Sequence, residues 1–222
     1  MVSWREADFA GRRFVLDAGL GLYWPEQEAL VVSDLHLEKA SFLAQFGSAV
    51  APYDTRDTLA RLDTLVGRYR PKRLILLGDT FHDRLAWHRL EDAARAHLLD
   101  LCASVEACHW VEGNHDLGAQ AGNIRFTEET VLDGVVFRHE AGVRDRPQVI
   151  GHFHPKMTTH VRGHRFTGKC FLVGRDLLIM PAFGSFTGGL DITNDVFEAL
   201  SGGEPFQPYL VYKSLIVPGL MA

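Results

Sequence analysis

Five short apolar segments of the sequence each end in residues of a type that binds metal ions. In chain order these residues are Asp34 and His36 after ALVVS, Asp79 after RLILL, Asn114 after CHWVE, His139 after VVFR, and His152 and His154 after QVI. Open sheets bind their ligands beyond the carboxyl ends of the strands, where side chains have little positional freedom. If the five segments are strands, their ends can converge on one site.

The seven side chains offer carboxylate and amide oxygens and imidazole nitrogens, and they include no thiolate. This donor set suits Mn²⁺, Fe or Zn²⁺. Two cations held ~3.5–4 Å apart need an anionic oxygen between them to offset their repulsion, and we assign that bridging role to Asp79. On an extended segment, the rings of His152 and His154 would lie on one face and could reach the same site.

Helices and strands that alternate along the chain must position these ends. The segment DTRDTLARLDTLVGRY has apolar residues at steps of three and four, which predicts a helix with Asp54 or Thr55 as its N-cap. The segment HRLEDAARAHLLDLC has a similar stripe and predicts a second helix. RFVLD and GLYW predict a hairpin, and short strand patterns dominate after Gly122. This order predicts an α/β or a layered α+β architecture.

The composition is that of an ordinary globular protein. The chain has 222 residues, of which 46% are hydrophobic and 23% charged, and we expect residues 1–222 to form one domain. A formal charge of −5 argues against a protein that coats nucleic acid by bulk charge. Three cysteines without CxxC spacing predict neither a disulfide framework nor a cysteine zinc site. Because no leader pattern or membrane-length apolar run is found, we expect a cytoplasmic protein without a membrane partner.

Taken in order, the five blocks resemble the calcineurin-like metallophosphoesterases. The pattern of that family is D-x-H, GD, GNH followed by an acidic residue, a lone His, and GHxH, and the matching blocks here span residues 34–154. One block alone would carry little weight, but the ordered set is specific. The resemblance implies an α+β fold, a four-layer αββα sandwich, with a dinuclear metal site at the strand ends.

The resemblance also implies a role for each residue. One metal would be bound by Asp34, His36, Asp79 and His154, and the other by Asp79, Asn114, His139 and His152. His115 would stay free of metal and donate a proton to the leaving oxygen, because a general acid must keep the proton that a metal-bound nitrogen lacks. Asp116 would orient His115. The implied reaction is attack on phosphorus by a metal-activated hydroxide.

A narrower resemblance extends over almost the whole chain. RFVLDAGLGLYWPEQEALVVSDLHLEKASF, GDTFHD and PAFGSFTGGLD are similar to segments of the bacterial ligase-associated phosphoesterases, which are encoded near an ATP-dependent DNA ligase and a helicase. This resemblance implies a DNA-repair phosphodiesterase or endonuclease that acts on nucleic acid in functional association with that ligase and helicase. It also implies two divalent ions, with Mn²⁺ favoured over Fe and Zn²⁺. One departure is Glu38, where glycine is common in the subfamily.

The sequence leaves several alternatives open. The protein could hydrolyse small or cyclic nucleotides, or it could be a catalytically inactive scaffold of the same fold. His82 and Lys39 are candidate substrate-binding residues, although His82 could equally order the metal ligands or be structural, and Lys39 could be a solvated surface charge. The segment PAFGSFTGG could be a substrate loop or only a set of Gly-rich turns between the last strands.

Overall fold

The computed structural model describes residues 3–48, 53–161 and 163–219, and its strands form two sheets. The first sheet consists, in spatial order, of β1 (Trp4–Phe9), β2 (Arg12–Asp17), β3 (Leu22–Trp24), β4 (Ala29–Val32), β5 (Arg73–Leu77), β6 (Ala107–Val111) and β7 (Phe126–Thr127). The second consists of β8 (Glu129–Leu132), β9 (Val135–Arg138), β10 (Gln148–Ile150), β11 (Lys156–Val161), β12 (His164–Val173), β13 (Leu177–Ile179), β14 (Gln207–Tyr212) and β15 (Leu215–Pro218). Its spatial order is β15-β14-β12-β13-β10-β9-β8, with β11 paired to β12.

Helices pack against both sheets. They are α1 (Lys39–Ala44), α2 (Asp54–Tyr69), α3 (Ala86–Arg89), α4 (Asp92–Ala103) and α5 (Asp195–Ser201), with a 3₁₀ turn at Pro25–Gln27. Leu62 of α2 and Leu98 of α4 belong to the main core, which contains residues of both sheets, and Phe197 of α5 packs in a smaller core against the second sheet. The rings of Trp24 and Phe137 meet between the sheets, with centroids 6.3 Å apart. This layering confirms the predicted α+β sandwich. Within the described residues, no helix has the length and apolar character needed to cross a bilayer.

The central strands carry the candidate site. β4, β5 and β6 are parallel neighbours, as are β9 and β10 in the second sheet. Every residue of β4 is buried, which is expected for an apolar strand covered on both faces. The register places Val32 beside Leu76, and Leu76 beside Trp110. The carboxyl ends of these strands therefore reach the same edge of the sheet.

The predicted N-cap of α2 is wrong, although the predicted helix is present. The helix starts at Asp54, and its N-cap is Tyr53, which makes no side-chain capping bond. The carboxylate of Asp54 accepts a hydrogen bond from the amide of Ala40 at 3.0 Å, and the Thr55 hydroxyl accepts one from the amide of Glu38 at 2.9 Å. Both polar side chains therefore hold the start of α1 instead of capping their own helix.

The predicted second helix is two helices. The chain leaves helical geometry at Leu90, where ψ is 129°, and α4 begins after Glu91. The Arg95 guanidinium donates to the carbonyl oxygens of Trp87 and Leu90, each at 3.1 Å. This side chain satisfies carbonyl groups that the break would otherwise leave unpaired.

Candidate metal centre

All seven candidate ligands lie just beyond strand ends, and five of them have a left-handed backbone. The angle φ is 55° at Asp34, 47° at His36, 48° at Asp79, 70° at His152 and 48° at His154. Such a conformation costs an ordinary residue roughly 1–2 kcal/mol. Backbone strain of this kind gathers at functional sites, where the surrounding structure imposes it. Its concentration here indicates that these turns are shaped for function.

Asp34, His36 and His154 form the first half of the cluster. The Nε2 atom of His154 lies 3.0 Å from Asp34 Oδ1 and 3.3 Å from His36 Nε2. The donor atoms of the three residues all lie within 4.8 Å of one another. The second carboxylate oxygen of Asp34 accepts hydrogen bonds from the Ser33 hydroxyl at 2.5 Å and from the His152 amide at 3.1 Å. Oδ1 is therefore directed towards the histidines.

Asn114, His139 and His152 form the second half. The Asn114 Oδ1 atom lies 3.1 Å from His139 Nε2 and 3.0 Å from His152 Nδ1. The other ring nitrogen of His139, Nδ1, is 3.3 Å from the carbonyl oxygen of Leu77. Because a carbonyl only accepts, it favours the tautomer with the proton on Nδ1 and leaves the Nε2 lone pair facing the cluster.

Asp79 lies between the two halves. Its Oδ2 atom is 3.6 Å from His36 Nε2 and 3.4 Å from His139 Nε2. Its Oδ1 atom accepts a hydrogen bond from the backbone amide of His115 at 2.9 Å, which fixes the carboxylate. An anionic oxygen that faces both His36 and His139 has the position that a ligand shared by two cations requires.

The charge of the cluster fits divalent cations. Asp34 and Asp79 are 0% and 2% exposed, and among the described residues no Lys or Arg lies within 4 Å of either carboxylate. Burial lowers the pKa of His36 to about 2, which keeps the ring in the neutral form that binds metal. At His139 burial also lowers the pKa, but Asp79 and Asp34 outweigh it and raise the pKa to about 9, so the ring is protonated at neutral pH and would release the Nε2 proton on binding a cation. Buried carboxylates with histidine rings and without Lys or Arg beside them are a suitable environment for bound cations.

Two motif glycines allow the ligand-bearing turns to approach one another. A Cβ atom at Gly113 would lie 2.2 Å from Asp79 Oδ1. A Cβ atom at Gly151 would lie 1.9 Å from the Ser33 hydroxyl oxygen and 2.5 Å from Asp34 Oδ2. Since no side chain fits at these distances, the glycines of the GNH and GHxH motifs are required by packing at the cluster.

His115 is exposed beside the cluster, and its ring is held by a carbonyl group. Its Nδ1 atom lies 2.7 Å from the backbone oxygen of His82, and its ring centroid is 4.9 Å from that of His36. The carbonyl requires a proton on Nδ1. Nε2 is therefore the ring nitrogen that can exchange a proton with a substrate. The His82 carbonyl is a site group that the sequence did not reveal.

Asp116 holds the turn that carries His115 and not the ring itself. The buried carboxylate accepts hydrogen bonds from the amide of Gly113 at 2.6 Å and from the amide of Thr80 at 2.8 Å. These bonds join the turn after β6 to the loop after β5. Any orientation of His115 by Asp116 therefore acts through the backbone, and its catalytic role stays a prediction.

The ring of His82 is buried between His36 and His115. Its Nδ1 atom lies 3.3 Å from His36 Nδ1, and its ring stacks on that of His115 with centroids 5.0 Å apart. Burial lowers the pKa of His82 to about 4, so the ring is neutral. A neutral acceptor at this position allows His36 to donate from Nδ1 and to present Nε2 to the cluster. The predicted contact of His82 with substrate stays a prediction.

The start of α1 places Glu38 and Lys39 beside the site. Glu38 has a φ of 67°, which a glycine would adopt without strain. Its carboxylate compensates by accepting hydrogen bonds from Ser41 Oγ at 2.6 Å and Thr55 Oγ1 at 2.9 Å, so the departure from glycine is accommodated. Lys39 is half-buried, and among the described residues no carboxylate lies within 4 Å of its ammonium. Its role as a substrate contact stays a prediction.

The chain resembles known phosphoesterases in sequence and structure. A family model for calcineurin-like phosphoesterases matches residues 29–176, which include all seven candidate ligands. A nuclease named MPE from Pseudomonas putida is 30% identical and has a TM-score of 0.73, over 97% of this chain and 99% of that one. Yfce, a phosphoesterase from E. coli, is 14% identical with a TM-score of 0.39, over 85% of this chain and 90% of that one. No significant match is found among the curated proteins.

Proposed function

The chain belongs to the calcineurin-like phosphoesterase family and is a metal-dependent phosphoester hydrolase, and from this premise we propose that it cleaves phosphodiester bonds of DNA. The observation that supports the site is a cluster of seven donors that includes two buried carboxylates, Asp34 and Asp79. The choice of substrate is supported by the likeness to a nuclease over 97% of the chain. We propose that residues 1–222 act as one domain.

The proposed cofactor is a pair of divalent cations, with Mn²⁺ favoured. One would be held by Asp34, His36, Asp79 and His154, and the other by Asp79, Asn114, His139 and His152. When bound, such cations polarise phosphoryl oxygens and lower the pKa of the attacking water. The chain prepares the site by burying His36 in its neutral form and by fixing Asp79 through the His115 amide.

The proposed general acid is His115. The His82 carbonyl holds the ring by Nδ1, so that Nε2 can donate a proton to the sugar oxygen that leaves. Asp116 contributes by holding the turn through the amides of Gly113 and Thr80. The exposure of His115 fits this role, because a substrate must reach the ring.

A phosphodiester of small or cyclic nucleotides is the second candidate substrate. Three glutamates (Glu112, Glu128 and Glu140) and one arginine (Arg138) line a cavity of about 300 Å³ on the side of Asn114 and His139. Acidic groups there, together with a net charge of −5, disfavour a long polyanion on that side of the site. DNA would therefore approach over the other half of the cluster, where Lys39 is close enough to His36 and His82 to affect their pKa values.

A place in DNA repair beside an ATP-dependent ligase and a helicase, in the cytoplasm, is proposed on the subfamily resemblance alone. Association with the ligase is tested by the DNA-damage sensitivity of a strain that lacks this protein, compared with strains that lack the ligase or both. Equal sensitivity of the single and double deletions would support a shared pathway. Additive sensitivity would contradict it.

A substrate panel with Mn²⁺ tests the proposed activity. It contains nicked, single-stranded and duplex DNA, cyclic nucleotides and aryl phosphates, and an Asp79→Asn preparation serves as the control for contaminating nuclease. We expect the wild-type protein to cut at least one DNA form, and a chelator or the Asp79 substitution to abolish the cut. Activity confined to the small molecules would leave the second candidate, and no activity on any member of the panel would favour the inactive scaffold.

A further inference from the structure

The segment 184–190, with the sequence GSFTGGL, lies beside the turns that carry Asp34 and His154, two members of the first half of the cluster. At its start, the amide of Gly184 donates to the carbonyl oxygen of Asp34 at 3.0 Å. At its end, a Cβ atom on Gly189 would lie 2.2 Å from the carbonyl oxygen of His154, so the backbone there is in close contact with the His154 turn. The segment therefore borders the site from Asp34 to His154.

Partly buried hydrogen bonds hold the backbone of this segment in place. The Lys169 ammonium donates to the carbonyl oxygens of Ala182 and Gly184, at 2.7 Å and 2.8 Å, and to Thr187 Oγ1 at 2.8 Å. From the other side, Thr58 Oγ1 of α2 accepts a hydrogen bond from the Ser185 amide at 3.1 Å. The backbone on both sides of residue 186 is thus held by the body of the protein.

Segment 184–190 has two exposed large apolar side chains, Phe186 and Leu190, and Phe186 is the aromatic one. Its side chain is 43% exposed, and among the described residues no aromatic ring pairs with it. Phe46 is more exposed but packs on Phe42, with ring centroids 5.2 Å apart, and it does not lie on a segment that contacts ligand backbones. An exposed ring on a fixed backbone loses little conformational entropy when it binds a flat partner.

Positive charge accompanies this side of the site. The Arg61 guanidinium, which also pairs with Asp57, donates to the carbonyl oxygen of Phe183 and to Ser185 Oγ, and a Cβ atom at Gly189 would lie 2.9 Å from the Lys156 side chain. Burial lowers the pKa of Lys169 to about 7, and the charges of Arg61, Lys156 and Lys39 lower it further against the opposing effect of Asp34. Among the described residues, neither Lys39 nor Lys156 has a carboxylate within 4 Å. An aromatic ring within a group of cations is the arrangement that binds a nucleotide, with stacking on the base and attraction to the phosphates.

We propose that Phe186 is a specificity-determining residue that stacks on the nucleobase next to the scissile phosphate. This inference rests on the proposed phosphodiesterase function and names the part of the substrate that the segment recognises. It predicts that a base beside the phosphate increases kcat/KM, and that this increase requires the Phe186 ring. Since aromatic stacking on a base corresponds to about 5- to 150-fold in affinity, the increase should fall in that range.

Chromogenic diesters that carry a single base on the sugar next to the scissile phosphate test this inference. The substrates are thymidine 5′-(p-nitrophenyl phosphate), its 3′ isomer, and the abasic deoxyribose analogue of each. The variants are Phe186→Ala, Phe186→Tyr to restore the ring, and Val143→Ala as a control at a side chain that is 83% exposed. Metal content and thermal stability are measured for each variant, so that a change in the site itself is recognised.

For at least one isomer, we expect the wild-type protein to favour the base-bearing diester over its abasic analogue by about 5- to 150-fold. Phe186→Ala should remove that preference, while kcat/KM for the abasic diester and metal content stay unchanged. Phe186→Tyr and Val143→Ala should retain it. The inference would be overturned if Phe186→Ala changed kcat/KM equally for the base-bearing and abasic diesters, or changed neither. If the base preference depends on Phe186 but no oligonucleotide is cut, the proposal that DNA is the substrate would be refuted, and the inference about Phe186 would stand.

Discussion

The Nδ1 atom of His115 lies 2.7 Å from the carbonyl oxygen of His82, so this ring is anchored by the backbone and leaves Nε2 free for substrate. Because the ring has no place among the seven donors, His115→Gln should leave metal content near wild type. The substitution should lower cleavage of DNA diesters by about 10²–10⁴-fold, because a sugar alkoxide needs a proton as it leaves. Aryl diesters should lose much less, since nitrophenolate leaves without help.

Parallel assays of DNA and an aryl diester, with metal analysis, check this prediction. His88→Gln is the matched control, because His88 is exposed on α3 and outside the site. Equal losses on both substrates would mean that His115 mainly positions the phosphate. Loss of metal would make His115 a ligand.

Asp116 should contribute to stability through the two amides that it binds. Asp116→Ala would leave the buried amides of Gly113 and Thr80 without acceptors. At about 1–3 kcal/mol for each unsatisfied group, the free energy of unfolding should fall by about 2–6 kcal/mol. Urea denaturation compared with Asp63→Ala, an exposed position on α2, measures the difference. A loss no larger than that of the control would show that the carboxylate does not hold the turn.

A methyl group at Gly151 should disturb the metal site, whereas one at Gly188 should not. The Cβ atom of Gly151→Ala would collide with Ser33 and Asp34, but the space beside Gly188 is open. We expect Gly151→Ala to weaken metal affinity by about 10–100-fold, as is typical when the support of a ligand is disturbed. Titration of both apo variants with Mn²⁺ gives the comparison. Wild-type affinity in Gly151→Ala would refute the packing argument.

Lys169 should give the protein a pH-dependent stability. Burial lowers its pKa to about 7 in the folded state, against about 10.4 in the unfolded chain. Between these values the unfolded state binds more protons, so the contribution of Lys169 rises with pH above 7, by at most about 1.4 kcal/mol per pH unit. Below pH 7 both states are protonated, and the slope vanishes.

The difference in unfolding free energy between wild type and Lys169→Met isolates this effect from other titrating groups. We expect the difference to change in favour of the wild type from pH 7 to pH 9 and to be flat from pH 5 to pH 6. A difference that is constant up to pH 9 would show that the ammonium stays charged in its three hydrogen bonds.

The positions of the seven candidate metal ligands could be predicted from the sequence because each follows a short apolar run, and such runs mark where strands end. Asp34, Asp79 and Asn114 each follow a short apolar run, and such runs became parallel neighbours in the sheet. Motif order then identified the family. The roles of the seven residues and of His115 follow from the family resemblance and stay predictions.

Features that depend on contacts between distant segments could not be predicted. The left-handed backbone at His36 and His154 is imposed by the packing of neighbouring turns, and single-residue propensities disfavour it. The break at Leu90 depends on Arg95, which captures the carbonyl groups of the preceding turn. Likewise, the spacing of the cysteines gave no sign that the side chains of Cys102 and Cys108 would lie next to each other.

The position of Asp79 between His36 and His139 is tested most directly by metal stoichiometry. Apo protein is titrated with Mn²⁺ by calorimetry, and bound metal is counted by elemental analysis, for wild type, Asp79→Asn and the control Cys102→Ser. We predict two tightly bound ions per chain for the wild type and the control. Asp79→Asn should weaken both sites together, because one oxygen faces both groups of ligands. An Asp79→Asn protein that keeps two tightly bound ions would contradict the shared site.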